Sequence, residues 1–218
     1  IRILATGDVG VRKITDLGMT PYNYDRFSRL IKVPQGVMLV TGPTGSGKTT
    51  TLYAALGELA KPNVNVITVE DPVEKNIEGI NQCQVNAKAG MTFAAALRSI
   101  LRQDPDIVMV GEMRDQETAE IAIRAAITGH MVLSTLHTND AASTITRLVD
   151  MGVAPYMVAT SLIGIVAQRL CKVVCNECKT PRMSTPEENE LLGITESATI
   201  YDACGCPKCN NTGYTGRT

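Results

Sequence analysis

Gly42-Pro43-Thr44-Gly45-Ser46-Gly47-Lys48-Thr49-Thr50 is the stretch on which the reading of this chain turns. Residues 42–49 fill every position of G-x-x-x-x-G-K-[ST], between an apolar run at 36–41 that reads as a strand and a pattern at 48–60 that reads as a helix. Glycines in such a loop let successive backbone N–H groups converge on phosphate oxygens, and the helix N-terminus adds its own partial positive charge. Lys48 is placed to reach the β- and γ-phosphates of a nucleotide, and the Thr49 hydroxyl to bind Mg²⁺. A merely structural glycine-rich turn is the alternative, and the complete motif in its strand-to-helix setting disfavours it.

Apolar runs bounded by turn residues alternate with longer helical patterns on both sides of this loop. Strands are expected at 36–41, 64–70, 107–111 and 131–136. None alternates with period two, so each reads as buried on both faces. Helices are expected at 48–60, 93–102, 115–128, 141–151 and 155–170, with Asp115 placed as an N-cap and Gly129 and Gly152 where C-terminal caps fall. Strands alternating with helices predict an α/β fold with a mostly parallel sheet and ligands at the carboxyl ends of its strands.

Hydrolysis of a bound nucleotide needs further groups at neighbouring strand ends, to hold the metal and orient water. Glu70 and Asp71 end the strand at 64–70, and Glu112 ends that at 107–111, all on the ligand side. Asp104 and Asp106 precede the same strand and read as cap or loop residues. His137 lies at the carboxyl end of 131–136 and His130 at its amino end; a lone histidine is as readily structural as functional. Arg98 and Arg102 are four apart and share one helix face, which by itself reads as solvated surface.

The 218 residues carry 21 Lys+Arg against 22 Asp+Glu, a formal net charge of −1, and 44% are apolar, which describes a folded chain with no basic excess for nucleic acid. No charged residue occurs between Asp150 and Arg169, long enough to raise the question of a membrane span. Gly152, Pro155, Thr160, Ser161, Gly164 and Gln168 interrupt that stretch, so no direct membrane insertion is expected and 155–170 reads as a largely buried helix. Beyond Leu170 periodicity fades and a module boundary is expected near Cys171, with a helix-start signal at Ser184-Thr185-Pro186-Glu187. Four of the seven cysteines form two knuckles, Cys175-Asn176-Glu177-Cys178 and Cys206-Pro207-Lys208-Cys209, separated by 27 residues. Four thiolates at that spacing suit a closed, structural Zn²⁺ site. Cys204 could substitute for a ligand of the second knuckle, whereas Cys83 and Cys171 read as buried small apolar residues. A zinc-ribbon nucleic-acid translocase is the alternative reading, but residues 171–218 carry five basic residues against six acidic ones and so no phosphate-tracking stripe.

Several segments in order resemble the ATPases of type II secretion and type IV pilus assembly. They are Gly42 to Thr50, Ile67-Thr68-Val69-Glu70-Asp71-Pro72-Val73-Glu74, the run Leu101-Arg102-Gln103-Asp104-Pro105-Asp106 leading to Val110-Gly111-Glu112-Met113-Arg114-Asp115, Thr128-Gly129-His130 through Leu133-Ser134-Thr135-Leu136-His137-Thr138-Asn139, and Gly213-Tyr214-Thr215-Gly216-Arg217. The resemblance implies a RecA-like P-loop core over 1–170, of which 1–18 is a strand and connector from a preceding domain, and a tetracysteine zinc module over 171–218, truncated at its C-terminal end. It implies that Glu70 polarises the attacking water, that Glu112 holds Mg²⁺ through water, that His137 contacts the γ-phosphate, and that Arg98 and Arg102, with Arg114 a weaker candidate, act on the ATP of a neighbouring subunit. It further implies a homohexamer on the cytoplasmic side, peripheral to the inner membrane through a platform protein and other secretion or pilus components. A tetracysteine insert favours the assembly or secretion direction over retraction. Because the resemblance places a nucleotide-closing domain before this region, slow turnover is expected of these 218 residues alone.

Overall fold

The computed structural model describes residues 12–218. The expected strand and connector at 1–18 thus lies mostly outside the described residues, and Ile14–Leu17 form a 3₁₀ helix. The chain divides into two compact units, the second comprising Leu170–Thr218.

Six strands form the sheet of the first unit: β1 (Gly36–Thr41), β2 (Val66–Glu70), β3 (Asn81–Gln84), β4 (Ile107–Val110), β5 (Met131–Leu136) and β6 (Leu162–Ala167). Their order is β3-β2-β4-β5-β1-β6, and every neighbouring pair is parallel. β1, β2, β4 and β5 are buried along their whole length, which is why their sequences run apolar without alternation. Their side chains nevertheless alternate between two cores. Val37, Leu39, Val108, Val110 and Val132 pack on one face with Leu97 of α3 (Phe93–Ile100), Ile123 of α4 (Gln116–Ile127) and Val158 of α6 (Pro155–Ser161). Met38, Val40, Met109 and Leu133 pack on the other with Phe27 of α1 (Pro21–Leu30) and with Leu52 and Leu56 of α2 (Lys48–Leu59). Asp115 caps α4 as expected, its side chain accepting from the Thr118 amide at 2.8 Å, and α5 (Ala141–Asp150) is capped in the same way by Asp140.

The helix expected at 155–170 is corrected: it stops at Ser161, and Leu162–Ala167 continue as β6 beside β1. Ile163, Ile165 and Val166 are β-branched and Gly164 weakens a helix, so once β1 offers an open edge the ladder prevails. Gly164 also lies where a Cβ would come within 2.9 Å of Leu30 Cδ1, at the end of α1. Among the described residues no helix is long and apolar enough to cross a membrane.

The second unit is built from two antiparallel pairs, β7 (Lys172–Val174) with β10 (Tyr214–Arg217), and β8 (Lys179–Met183) with β9 (Thr199–Ala203). Between β8 and β9 runs α7 (Pro186–Leu192), which starts at the Thr185-Pro186 signal and is closed by a reciprocal capping box between Thr185 and Glu188. Arg182 grips both Glu188 carboxylate oxygens, at 2.7 and 2.5 Å, and Asp202 at 2.9 Å, tying helix to hairpin.

Core and surface leucines predict contrasting costs. Leu39→Ala, at a side chain with no exposure, is expected to destabilise the first unit by about 2–5 kcal/mol, whereas Leu191→Ala, at 87% exposure on α7, is expected to change stability by less than about 0.5 kcal/mol. Urea denaturation followed by circular dichroism measures both.

Candidate nucleotide site and thiol cluster

β1 delivers the chain to Gly42 and α2 carries it away from Lys48, so the loop between them lies at the carboxyl edge of the sheet. Gly42 has φ +145°, and a Cβ there would meet the Gln168 carbonyl at 2.2 Å; Gly47 is left-handed at φ +83°. Only glycine tolerates both conditions. Lys48 is 9% exposed, and its Nζ donates to the carbonyls of Gly42 and Pro43 at 2.9 and 3.1 Å. Burial holds the Lys48 pKa below its ordinary value, and the negative charge of Glu112 opposes that shift. Ser46 Oγ is buried with no partner among the described residues, while Thr49 is half-buried and Thr50 exposed. A loop of left-handed glycines at a helix N-terminus, with a buried ammonium and an orphaned hydroxyl, fits a polyphosphate. Thr51, one residue further, donates to Gln168 Oε1 at 2.7 Å and ties α2 to the segment after β6.

Next to the loop, β2, β4 and β5 deliver Glu70, Glu112 and His137 to the same edge. Glu70 is only 3% exposed and accepts from Thr68 Oγ1 at 2.6 Å, from Gln82 Nε2 at 3.0 Å and from the Tyr53 hydroxyl. Neither Tyr53 nor Gln82 was expected from sequence, because a tyrosine inside an apolar helix and a glutamine in a polar strand carry no motif. Glu112 is more accessible and meets two basic side chains. Arg114 donates to its Oε1, and His137 Nε2 lies 3.5 Å from its Oε2. Burial alone would push the Glu112 pKa up, but the Arg114 guanidinium, joined by His137, holds it below the ordinary carboxylate value. Arg114 also lies 3.9 Å from Asp71, so residues from the ends of three strands form one charged row.

The other sequence candidates lie apart. Arg98 pairs with Glu117 of α4 at 2.5 Å, and Arg102 is exposed; neither guanidinium bonds to Glu70, Glu112 or His137 among the described residues. Asp106 sits at the amino edge, as expected, accepting from the Asn65 amide at 2.7 Å. His130 is held there through Nδ1 against the Ala125 carbonyl at 2.9 Å.

In the second unit the Sγ atoms of Cys175, Cys178, Cys206 and Cys209 all lie within 4.8 Å of one another. Cys175–Cys206 and Cys178–Cys209 are each 3.9 Å apart and Cys206–Cys209 3.8 Å. A tetrahedron of thiolates about 2.3 Å from one ion has edges of about 3.8 Å, so the cluster has the dimensions of a closed Zn²⁺ site. Backbone amides of Gly205, Cys206 and Gly213 point at these sulfurs at 3.2–3.3 Å. Burial opposes ionisation of Cys209, but the Cys206 and Gly213 amides outweigh it and lower its pKa. Cys204 is exposed outside the cluster, 3.0 Å from Thr180 Oγ1. Cys171, expected to be buried, is also exposed, because it sits beside the short β7–β10 ladder with no core behind it, while Cys83 is half-buried.

A parallel α/β sheet with a complete phosphate loop and strand-end carboxylates at one edge defines a P-loop nucleotide-binding protein. A family profile described as "Type II/IV secretion system protein" matches residues 1–218, and the chain belongs to that family. Over 204 residues it is 57% identical to the type II secretion system ATPase E of Vibrio cholerae, a match spanning 93% of this chain and 41% of that protein. It is 53% identical over 211 residues to the type IV pilus assembly ATPase PilB of Thermus thermophilus, spanning 95% of this chain and 24% of that protein. Among solved structures, the pilus retraction motor PilT with bound ADP superposes with a TM-score of 0.71 at 39% identity, covering 80% of this chain and 52% of that one. The Legionella pneumophila ATPase DotB superposes with a TM-score of 0.59 at 28% identity, covering 87% and 49%. The chain therefore spans less than half the length of the curated relatives named here.

The Glu112 pair generates a pH-dependent prediction. A carboxylate whose folded pKa is depressed adds stability above its unfolded value, near 4.5, and loses it as pH falls through the folded value. Arg114→Ala is accordingly expected to be less stable than the parent chain at pH 7, with the difference closing below pH 4.5, as read from thermal melts at stepped pH.

Proposed function

We propose that this chain is the motor portion of an ATP-hydrolysing subunit that powers pilin or pseudopilin assembly in a type II secretion or type IV pilus system. The observation that carries the reading is the gathering of Lys48, Glu70, Glu112 and His137 at one edge of one parallel sheet, in a chain more than half identical to secretion and pilus-assembly ATPases. In this reading the loop amides of residues 42–50 and the Lys48 ammonium hold the β- and γ-phosphates of ATP. Thr49 would hold Mg²⁺ directly and Glu112 through water. That ion, when bound, neutralises charge on the transferring phosphoryl oxygens.

Glu70 orients the attacking water and takes up its proton as the water oxygen bonds to the γ-phosphorus and the bridge to ADP breaks. A carboxylate offers about four acceptor positions, and Tyr53, Thr68 and Gln82 occupy three, leaving one for the water. His137 contacts the γ-phosphate. Arg98 and Arg102 lie outside the strand-end row and act on the ATP of a neighbouring subunit in a homohexamer, Arg98 exchanging Glu117 for phosphate. The four-cysteine cluster binds one structural Zn²⁺, and its unit takes part in docking to an inner-membrane platform protein on the cytoplasmic face.

In the full-length subunit, Lys48→Ala and Glu70→Ala are each expected to lower ATP turnover by at least about 100-fold in a phosphate-release assay. Full hydrolysis in either would overturn the assigned roles. Atomic emission is expected to find one zinc per chain, and Cys206→Ser to abolish it while opening residues 170–218 to protease. A metal-free parent chain with an intact second unit would refute the zinc reading.

A further inference from the structure

We propose that Tyr53 is a positioning residue for Glu70, locking the strand-end carboxylate to the helix that opens on the phosphate loop. The proposal rests on the reading of Glu70 as the group that orients the attacking water.

Three donors reach the Glu70 carboxylate, and they come from different places. Thr68 is on the same strand, and Gln82 is on the neighbouring strand β3. Tyr53 is on α2, five residues beyond Lys48, so it alone of the three links the carboxylate to the element that carries the phosphate-binding lysine. A rise of about 1.5 Å per residue puts Tyr53 between one and two turns into α2, where helix geometry is rigid. The distance from loop to carboxylate is thus set by packed backbone and one hydroxyl.

The hydroxyl proton has a defined direction. The Glu74 amide donates to the Tyr53 oxygen at 3.2 Å, occupying an acceptor position and leaving the O–H to point at Glu70. The same phenol therefore also holds the middle of the 71–77 loop. Gln82 completes that clamp, accepting from the Ile77 amide at 2.7 Å and donating to the Lys75 carbonyl at 3.0 Å while it holds Glu70. Tyr53 is 5% exposed, and burial together with the neighbouring Glu70 charge drives its pKa upward, so it stays a donor at every working pH. Packing alone would be met by phenylalanine, since the ring belongs to the same core as Leu52 and Leu56. The hydroxyl serves Glu70 and the loop after it.

The test is a double-mutant cycle in the full-length subunit, with Tyr53→Phe, Glu70→Gln and both together. Tyr53→Phe is expected to lower kcat about 10- to 100-fold with the KM for ATP within about twofold and only a small fall in melting temperature from the lost buried hydrogen bond, the signature of a misplaced group instead of lost binding. In the Glu70→Gln background the same change is expected to cost nothing further. Unchanged kcat in Tyr53→Phe, or an equal proportional loss in both backgrounds, would overturn the proposal. Hydrogen exchange supplies the second readout: amides at 71–77 are expected to exchange faster in Tyr53→Phe, and unchanged protection would also refute the tie. Wild-type kcat in Glu70→Gln would refute the role of Glu70 and any positioning built on it, and faster exchange at 71–77 would then show that the Tyr53 contact exists without serving hydrolysis.

Discussion

A sheet buried on both faces has nowhere to place charged groups except at its edges, and the first unit is organised by that constraint. β1, β2, β4 and β5 contribute apolar side chains to two cores and keep inside them only small hydroxyls that are hydrogen-bonded, such as Thr68, Ser134 and Thr135, so charged groups fall at the strand ends. Parallel pairing then brings all the carboxyl ends to the same side. The amino ends receive only structural polar groups, as with Asp106 and His130. Glu70, Glu112 and His137 share an edge because β2, β4 and β5 are neighbours in the sheet, although 67 positions of sequence separate the first from the last.

That edge settles two carboxylates in two ways. A buried charge without partners costs several kcal/mol, so each must be compensated. Glu70 is satisfied by neutral donors: two hydroxyls and an amide bond to it, and among the described residues no cation does. Glu112 is met by the Arg114 guanidinium and the His137 imidazole, both of them substantially exposed. The first arrangement gives a carboxylate whose oxygens are fixed in place by neutral donors, suited to orienting a further donor such as a water. The second gives one whose partners are exposed side chains, which can be exchanged for a metal cation at modest cost. This difference is a physical reason to separate a water-orienting role from a metal-holding one.

How much of this was legible in sequence follows from where the signals reside. The phosphate loop, the buried strands and the caps at Asp115 and Thr185 depend on neighbours in the chain, and local patterns reveal them. β6 depends on a free edge of β1, a fact about distant residues, and its uncharged run mimics a buried helix. β3 was missed for the opposite reason: Asn81-Gln82-Cys83-Gln84 has no apolar signal because it is an edge strand, and its glutamine serves Glu70 and the 71–77 loop instead of a core. α1 was not expected from sequence either, since it buries only Phe27 along its length. In the site, residues with recognised chemistry were found, and the partners that orient them, Tyr53 and Gln82, were not. Orientation is a tertiary property, and a hydroxyl in the middle of an apolar helix looks like core until the opposing carboxylate is in view.

The surface arginines show how the same reasoning bears on a ring. Arg98 is paired within the chain, which at first sight argues against its acting on a neighbouring subunit's nucleotide. Both members of that pair are more than half exposed, and such pairs contribute about 0–1 kcal/mol. A phosphate charge presented by an adjacent subunit offers a guanidinium a bidentate, charge-assisted contact in a less hydrated setting, which is worth more. If Arg98 acts on a neighbouring subunit's nucleotide as proposed, Glu117 would serve as a holding partner whose release costs little enough for the neighbour to overcome. Arg102, one turn on along the chain and without an ion pair among the described residues, needs no such release, so the two arginines would engage at different thresholds as a neighbouring subunit approaches.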